Sequence, residues 1–253
     1  MVALKSKSEI EKMKKAGAVT YGALCTVRDA IHPGVTTKEL DQVAERYIKS
    51  QGCTCSFKGY GGFPGSVCSS VNDEIIHGIP GNRVLNEGDI ISIDVGACFE
   101  GYHGDACRTF GVGEISEEAK RLIAVTRQSF FEALQFAKEG YRISDISRAV
   151  QEYVEANGFS VLRNYCGHGI GASLHEDPEV PNYVGGSRGI RIRPGMCLAI
   201  EPMVCQGRKE YYVDDTEWTV LTRDGKLSAH YENSVLVTNG EPFLLTMPDG
   251  IEV

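Results

Sequence analysis

Residues 90–110 read IISIDVGACFEGYHGDACRTF, and this stretch decides the fold because it sets Asp94 and Asp105 among residues typical of buried strands. The β-branched residues around Asp94 predict a mostly buried strand. The turn at residues 100–104 predicts a return strand over residues 105–112, which brings the two carboxylates together. Two anions at such short range repel each other unless a metal ion or a proton is shared between them. A turn-capping role for one aspartate and a solvated position for the other fit this stretch alone equally well.

Length and composition limit the class of protein. A chain of 253 residues that is 42% hydrophobic can bury a sizeable core. Its net charge of -8 disfavours a general nucleic-acid surface, so we expect no DNA partner. No apolar targeting segment and no apolar run of about 18 residues is found, which predicts a soluble, cytoplasmic protein with no membrane contact. Nine scattered cysteines without a CxxC pair predict reduced thiols.

Two pairs of helices are predicted from capping residues and apolar periodicity. A capping box at residues 8–11 opens the first helix, which Pro33 ends. A second capping box at residues 36–39 opens a helix that stops at Gly52. The second pair is predicted over residues 116–157.

The chain resembles itself at an offset of 106 to 107 residues. At this offset Asp94 falls on Glu201, the acid of another apolar strand, LAIEPM. More loosely, Asp105 corresponds to Glu232, because each acid opens a strand of alternating polarity. Four carboxylates in two matched pairs are the hard oxygen ligands of a two-metal site.

The repeat predicts an α+β architecture. Two halves related by a pseudo-two-fold axis would each give two helices and a curved antiparallel sheet, with the acids facing a shared interior. We expect a single catalytic domain over residues 1–253, built of two internal repeats at about residues 8–112 and 114–240.

The histidines divide by their surroundings. His32 at a helix end and His103 in a polar turn are expected to be solvated, while His230, two residues before Glu232, is ambiguous. Three others lie among glycine and apolar residues: His77, His168 and His175. Any one of these three is more often an ordinary core or loop histidine. Together with the four acids, however, they favour metal binding and acid–base chemistry.

Five motifs in combination resemble the type I methionine aminopeptidases, metallopeptidases with the pita-bread fold, in their short bacterial form. The resemblance covers nearly the whole chain, from about residue 8 to residue 245. The motifs are SVNDEIIHGIP (70–80), DIISIDVGACFEGYHGDACRTF (89–110), NYCGHGIGASLHEDPEVPNY (164–183), GMCLAIEPMV (195–204) and YYVDDTEWTVLTRDGKLSAHYENSVLVT (211–238).

The resemblance implies a dinuclear centre of two divalent ions, with cobalt, manganese or iron favoured and zinc or nickel as further options. Its implied metal ligands are Asp94, Asp105, His168, Glu201 and Glu232. Asp105 and Glu232 would bridge the two ions. The resemblance also implies a monovalent cation near Asn72 and Ser228.

The implied activity is that of a cytosolic exopeptidase, which removes the initiator methionine of nascent proteins when the next residue is small. A water or hydroxide bridging two divalent cations has a lowered pKa and attacks the peptide carbonyl. Glu201 is expected to carry the proton from this water to the leaving amine. His175 would stabilise the oxyanion, and His77 would hydrogen-bond the scissile amide.

The implied substrate pocket is apolar and suits an unbranched thioether. Its residues are Tyr60, Phe63, Cys68, His77, Leu174, His175 and Trp218. Phe57, Phe63 and Leu174 depart from a familiar bacterial pattern of Cys, Tyr and Phe. For Trp218 the competing interpretation is plain core burial.

The expected partners are the N-termini of nascent polypeptides, with ribosome association as a further expectation and a monomer as the oligomeric state. Two other functions stay open at this point. The first is a proline-specific aminopeptidase or dipeptidase of the same fold, which usually carries an added N-terminal domain that 253 residues cannot hold. The second is a non-catalytic pita-bread protein that binds ribosomes or partners, which a degenerate ligand set would mark.

Overall fold

The computed structural model describes residues 2–247, which form four α-helices and fifteen β-strands. The helices are α1 (Lys7–Arg28), α2 (Thr37–Ser50), α3 (Glu117–Leu134) and α4 (Ile143–Ala156). The first eight strands are β1 (Thr54–Cys55), β2 (Val67–Val71), β3 (Glu74–Ile76), β4 (Ile90–Phe99), β5 (Tyr102–Gly111), β6 (Ser160–Val161), β7 (Cys166–Gly169) and β8 (Glu176–Pro181). The remaining strands are β9 (Cys197–Ile200), β10 (Met203–Cys205), β11 (Tyr211–Val213), β12 (Val220–Thr222), β13 (Ser228–His230), β14 (Asn233–Leu236) and β15 (Phe243–Leu244).

The helix ends follow capping chemistry, although one predicted cap was wrong. Helix α1 is capped by Ser6, whose hydroxyl accepts from the Glu9 N–H while the Glu9 carboxylate accepts from the Ser6 N–H. The cap predicted at residues 8–11 therefore lies two residues too late, and the helix ends at Arg28, before Pro33. The predicted cap of α2 at Thr36 is confirmed.

The hairpin of β4 and β5 is the centre of the first half. All the strand pairs in its sheet are antiparallel, with β5 on one side of β4, and β1 and β2 on the other. A tight two-residue turn, Glu100 and Gly101, joins the two strands with φ values of 47° and 79°, as a primed hairpin turn requires. The return strand therefore begins at Tyr102, three residues earlier than predicted. His103 was wrongly placed in the turn; it lies half-buried in β5, with Nδ1 2.9 Å from the Ser56 hydroxyl.

The second half contains a five-stranded antiparallel sheet in the order β15-β14-β9-β7-β8. Its edge meets the first half through the backbone: the Glu232 N–H donates to the Cys107 carbonyl at 3.0 Å. Two smaller antiparallel sheets complete the molecule, β13-β10-β6 and β11-β12-β3.

Each helix pair covers one half of the sheet surface. Leu24 of α1 and Leu40 of α2 pack with Ile93 of β4 in one buried cluster. Phe130 of α3 and Ile146 of α4 belong to a second cluster that includes strand residues of β9 and β14. The predicted α+β class with antiparallel sheets and two helix pairs is confirmed.

Two further expectations concern the whole chain. All nine cysteines are free thiols, as predicted. Among residues 2–247, no helix combines the length and the apolarity that crossing a bilayer requires.

Glycine at position 104 permits α1 to lie directly on β5. A Cβ atom at Gly104 would stand 2.8 Å from the Cα of Gly17 in α1, so a side chain there must push the helix away. We expect Gly104→Ala to lower the free energy of unfolding by about 1 to 3 kcal/mol, measured by urea denaturation. Gly186→Ala is the matched control, because nothing lies within 4 Å of the added atom. An unchanged unfolding free energy in Gly104→Ala would contradict this packing.

Candidate metal centre and active site

Paired strands from both halves bring the four predicted acids together. Asp94 of β4 is opposite Cys107 of β5, so Asp105, two residues earlier, lies diagonally across on the same face. In the second half, Glu201 directly follows β9 and Glu232 directly precedes β14, two strands that pair with each other. All four carboxylates line one cavity of about 150 Å³.

Hydrogen bonds across the two halves hold the acids in place. The Ser234 hydroxyl accepts from the Asp105 N–H and donates to the Asp105 carbonyl, both at 2.9 Å. Arg108 is 2% exposed and donates to the Glu232 carbonyl and to the Asn233 side-chain oxygen. Since these bonds join β5 to β14, Asp105 and Glu232 are positioned by one shared network.

Burial and mutual repulsion make the acids hard to ionise. Burial raises the pKa of Asp94 to about 7. Burial and the neighbouring carboxylates also raise the pKa values of Asp105, Glu201 and Glu232 well above their usual range. The nearby Arg108 opposes this change at Glu232 without reversing it. The carboxylates can therefore ionise together only when cations are added.

The His168 ring is held in a neutral form that can accept a metal ion. Its Nδ1 lies 2.9 Å from the Gly169 carbonyl, so the proton resides on Nδ1 and the lone pair of Nε2 is free. Nε2 points at Glu201, 3.7 Å from Oε1. The backbone beside His168 packs closely on β9, because a Cβ at Gly167 would stand 2.3 Å from the Ala199 carbonyl oxygen.

The residues present fit a divalent cation. Ligand atoms of Asp105, His168 and Glu232 lie within 4.8 Å of one another. One oxygen each of Asp94, Asp105 and Glu232 is buried without a hydrogen-bond partner among the described residues. Leaving such groups unpaired costs about 1 to 3 kcal/mol each or more, and an ion at coordination distance would satisfy them.

Two more histidines face the same cavity. His77 has a left-handed backbone, φ 59°, and the adjacent Gly78 docks on β2 by donating to Ser70 and accepting from Ser69. Burial and the proximity of His175 lower the pKa of His77 to about 4, so its ring is neutral. The Nδ1 of His175 lies 2.8 Å from the Tyr60 hydroxyl.

Aromatic and aliphatic side chains close the remaining walls. The rings of Phe63 and Trp218 meet edge to face at 5.1 Å. Trp218 is half-buried, packs against a buried apolar cluster and lines the cavity. Every residue of the predicted site lines this cavity: Tyr60, Phe63, Cys68, His77, Asp94, Asp105, His168, Leu174, His175, Glu201, Trp218 and Glu232.

The sequence did not single out several residues that the structure places at the site. Phe57, considered only as a departure from a pattern, lines the cavity. The Asn182 amide donates to the Glu201 carbonyl at 2.8 Å, and Arg108 supports Glu232. Of the further residues near the acids, His230 was noted in the sequence, because it lies two positions before Glu232.

The sequence of this chain matches a known protein family. Residues 11–239 match the model of metallopeptidase family M24, so the cavity belongs to a metallopeptidase. Methionine aminopeptidases of Clostridium perfringens and Bacillus subtilis are 52% and 51% identical, covering 98% and 94% of this chain and 99% and 96% of their own lengths. The chain therefore belongs to the methionine aminopeptidases of family M24.

Solved structures agree with this assignment. The methionine aminopeptidase of Thermotoga maritima superposes with a TM-score of 0.95 at 45% identity, covering 97% of this chain and 99% of its own. A prolidase of Pyrococcus furiosus has a TM-score of 0.79 at 23% identity, and the match covers 96% of this chain but only 65% of the prolidase. The pita-bread fold is confirmed, and neither the proline-specific nor the non-catalytic alternative is favoured.

The raised pKa values predict how pH changes the stability of the metal-free protein. Above about pH 7.5, the histidines of the unfolded chain are mostly neutral and its acids are ionised, whereas the folded site still holds protons on its carboxyls. The unfolded state then binds fewer protons, so stability falls as pH rises. We expect the melting temperature of chelator-treated protein to fall from pH 7.5 to 9.

Added Co²⁺ should displace these protons, so its stabilising effect should grow over the same pH range. Asp94→Asn, which removes one ionising group, is the control and should flatten the pH dependence. A melting temperature that rises with pH in metal-free protein would contradict the electrostatic assignment.

Proposed function

We propose that this enzyme removes the initiator methionine from nascent proteins when the following residue is small. One observation carries the proposal: four buried carboxylates and the His168 imidazole form one end of a cavity whose other walls are apolar. A peptide with methionine at its N-terminus presents both the amine and carbonyl that such a centre binds and the thioether that such walls accept.

In this proposal Asp94, Asp105, His168, Glu201 and Glu232 would hold two divalent ions. Bound ions would lower the pKa of the attacking water and neutralise charge in the transition state. Cobalt, manganese and iron are the favoured ions, with zinc and nickel as further options. A monovalent cation is proposed near Asn72, whose carbonyl accepts from the Ser228 N–H at 2.8 Å.

The proton and the oxyanion are handled by side chains of the chain itself. Glu201 takes the proton from the attacking water and delivers it to the leaving amine. The neutral rings of His175 and His77 donate hydrogen bonds, to the oxyanion and to the scissile amide respectively. A Tyr60 hydroxyl that donates to Nδ1 of His175 leaves the proton of that ring on Nε2.

The pocket explains the preference for methionine. Phe63, Cys68 and Leu174 are almost fully buried around it, and Phe57 adds a further ring. Methionine is unbranched and makes favourable contacts between sulfur and aromatic rings, so it fits this enclosure.

The wider setting follows from the substrate. We place the enzyme in the cytoplasm as a monomer, acting on nascent N-termini, with association at the ribosome. One catalytic domain of 1–253, made of repeats at about 8–112 and 114–240, accounts for the equivalent positions of the two acid pairs. Residues 248–253 lie outside the described part of the chain.

Peptide hydrolysis tests the proposal directly. The Co²⁺- or Mn²⁺-loaded enzyme should cleave Met-Ala peptides and leave Xaa-Pro peptides intact when Xaa is not methionine. Asp105→Asn keeps the size of the side chain but removes its charge, so turnover should fall by on the order of 1000-fold or more. Asp215→Asn, on an exposed loop, is the control and should match wild type. Preferential cleavage of Xaa-Pro, or no cleavage at all by metal-loaded wild type, would refute the proposed activity.

The contact between Tyr60 and His175 gives a finer test. Tyr60→Phe keeps the ring but removes the hydroxyl, which is worth about 1 kcal/mol in a solvent-open position. We expect kcat to fall about fivefold with little change in KM, because the bond orients a transition-state donor. Tyr141→Phe, an exposed position, is the matched control. A raised KM with unchanged kcat would assign Tyr60 to substrate binding alone.

A further inference from the structure

His230 is a buried imidazole that the proposed function does not use. It ends β13 and is 2% exposed. Its Nε2 has no hydrogen-bond partner among the described residues. An unpaired buried nitrogen costs about 1 to 3 kcal/mol, so its surroundings should reveal what it binds.

Two carboxylates lie at equal distances from this nitrogen. Nε2 of His230 is 3.7 Å from Oε2 of Glu201 and 3.7 Å from Oε2 of Glu232. The other oxygen of Glu201 faces His168, also at 3.7 Å. The Glu201 carboxylate therefore lies between two imidazoles, one beside each oxygen.

The distances match shared coordination better than hydrogen bonding. A distance of 3.7 Å exceeds the range of an N–H···O hydrogen bond. Ligand atoms that each lie about 2.1 Å from one ion, at tetrahedral to trigonal angles, are roughly 3.4 to 3.6 Å apart. Ligand atoms of Glu201, His230 and Glu232 all lie within 4.8 Å of one another.

Hydrogen bonds fix the backbone of His230. The Thr109 hydroxyl accepts from the His230 N–H and donates to the His230 carbonyl, both at 2.9 Å, and Ser92 contacts the same hydroxyl at 2.8 Å. These bonds fasten His230 to β5, the strand of Asp105. Because His230 is only 2% exposed, its Nε2 faces the carboxylates of Glu201 and Glu232 and not solvent.

We propose that His230 is a metal ligand, which binds an ion of the centre together with Glu201 and Glu232. The inference rests on the proposed dinuclear centre and adds a second imidazole to its five ligands. A second nitrogen donor favours iron, cobalt, nickel or zinc over manganese, because imidazole suits those metals better than the harder ion.

X-ray absorption fine structure of the Co²⁺-loaded protein counts imidazoles directly. Wild type with two bound ions should show about two imidazoles per pair of ions, from His168 and His230. His230→Gln should show about one, and its weaker-bound ion should dissociate at least about tenfold more readily in calorimetric titration. His32→Gln, at an exposed site in the segment after α1, is the matched control and should keep both imidazoles.

The outcomes separate this inference from the proposed centre. Two bound ions with one imidazole per pair in wild type would overturn the role of His230 and leave the five-ligand centre intact. Failure of wild type to bind two ions would overturn both. The count in wild type decides the matter even where His230→Gln folds poorly.

Discussion

The repulsion among four buried carboxylates is the constraint on which the rest of this structure depends. Asp94, Asp105, Glu201 and Glu232 share one cavity, and burial raises the pKa of each. A folded chain tolerates such a cluster only with protons or cations bound, since like charges in a low dielectric cannot all ionise. The same arrangement favours metal binding, because the carboxylates are already in position for the cations that replace the protons.

The framework that holds the acids is shared between the two halves of the molecule. The Glu232 N–H bonds to Cys107, the Ser234 hydroxyl bonds to the backbone of Asp105, and the buried guanidinium of Arg108 reaches across to the segment after Glu232. Because Asp105 and Glu232 are fixed by this network, neither half can bring the four carboxylates together alone. The helix pairs stabilise the same arrangement from outside, as the close contact of Gly104 with α1 illustrates.

Much of this could be predicted from the sequence, because acids inside apolar strands contradict the usual pattern of buried residues. Asp94 and Glu201 were found in this way: Asp94 lies within β4, and Glu201 directly follows β9. The first helix cap was misplaced because Ser6 and Ser8 each have a glutamate three residues later, and local sequence cannot choose between them. The backbone N–H of Lys5 also donates to the Gly195 carbonyl, just before the helix begins after Ser6.

Other features depended on contacts between distant parts of the chain. His103 looked like a turn residue because Gly101 and Gly104 lie on either side of it. The turn, however, consists only of Glu100 and Gly101. The role of His230 was ambiguous in the sequence because it depends on Glu201, which lies 29 residues away. The two side chains face each other only in the folded protein. Arg108 and Asn182 act through backbone carbonyls, and such bonds leave no mark on residue patterns.

Anomalous diffraction from a crystal of metal-loaded protein, recorded at the absorption edge of the added ion, tests the central claim most directly. We expect two peaks, about 3 to 4 Å apart, with Asp105 and Glu232 between them. Density without such peaks, or a single peak away from these carboxylates, would contradict this claim.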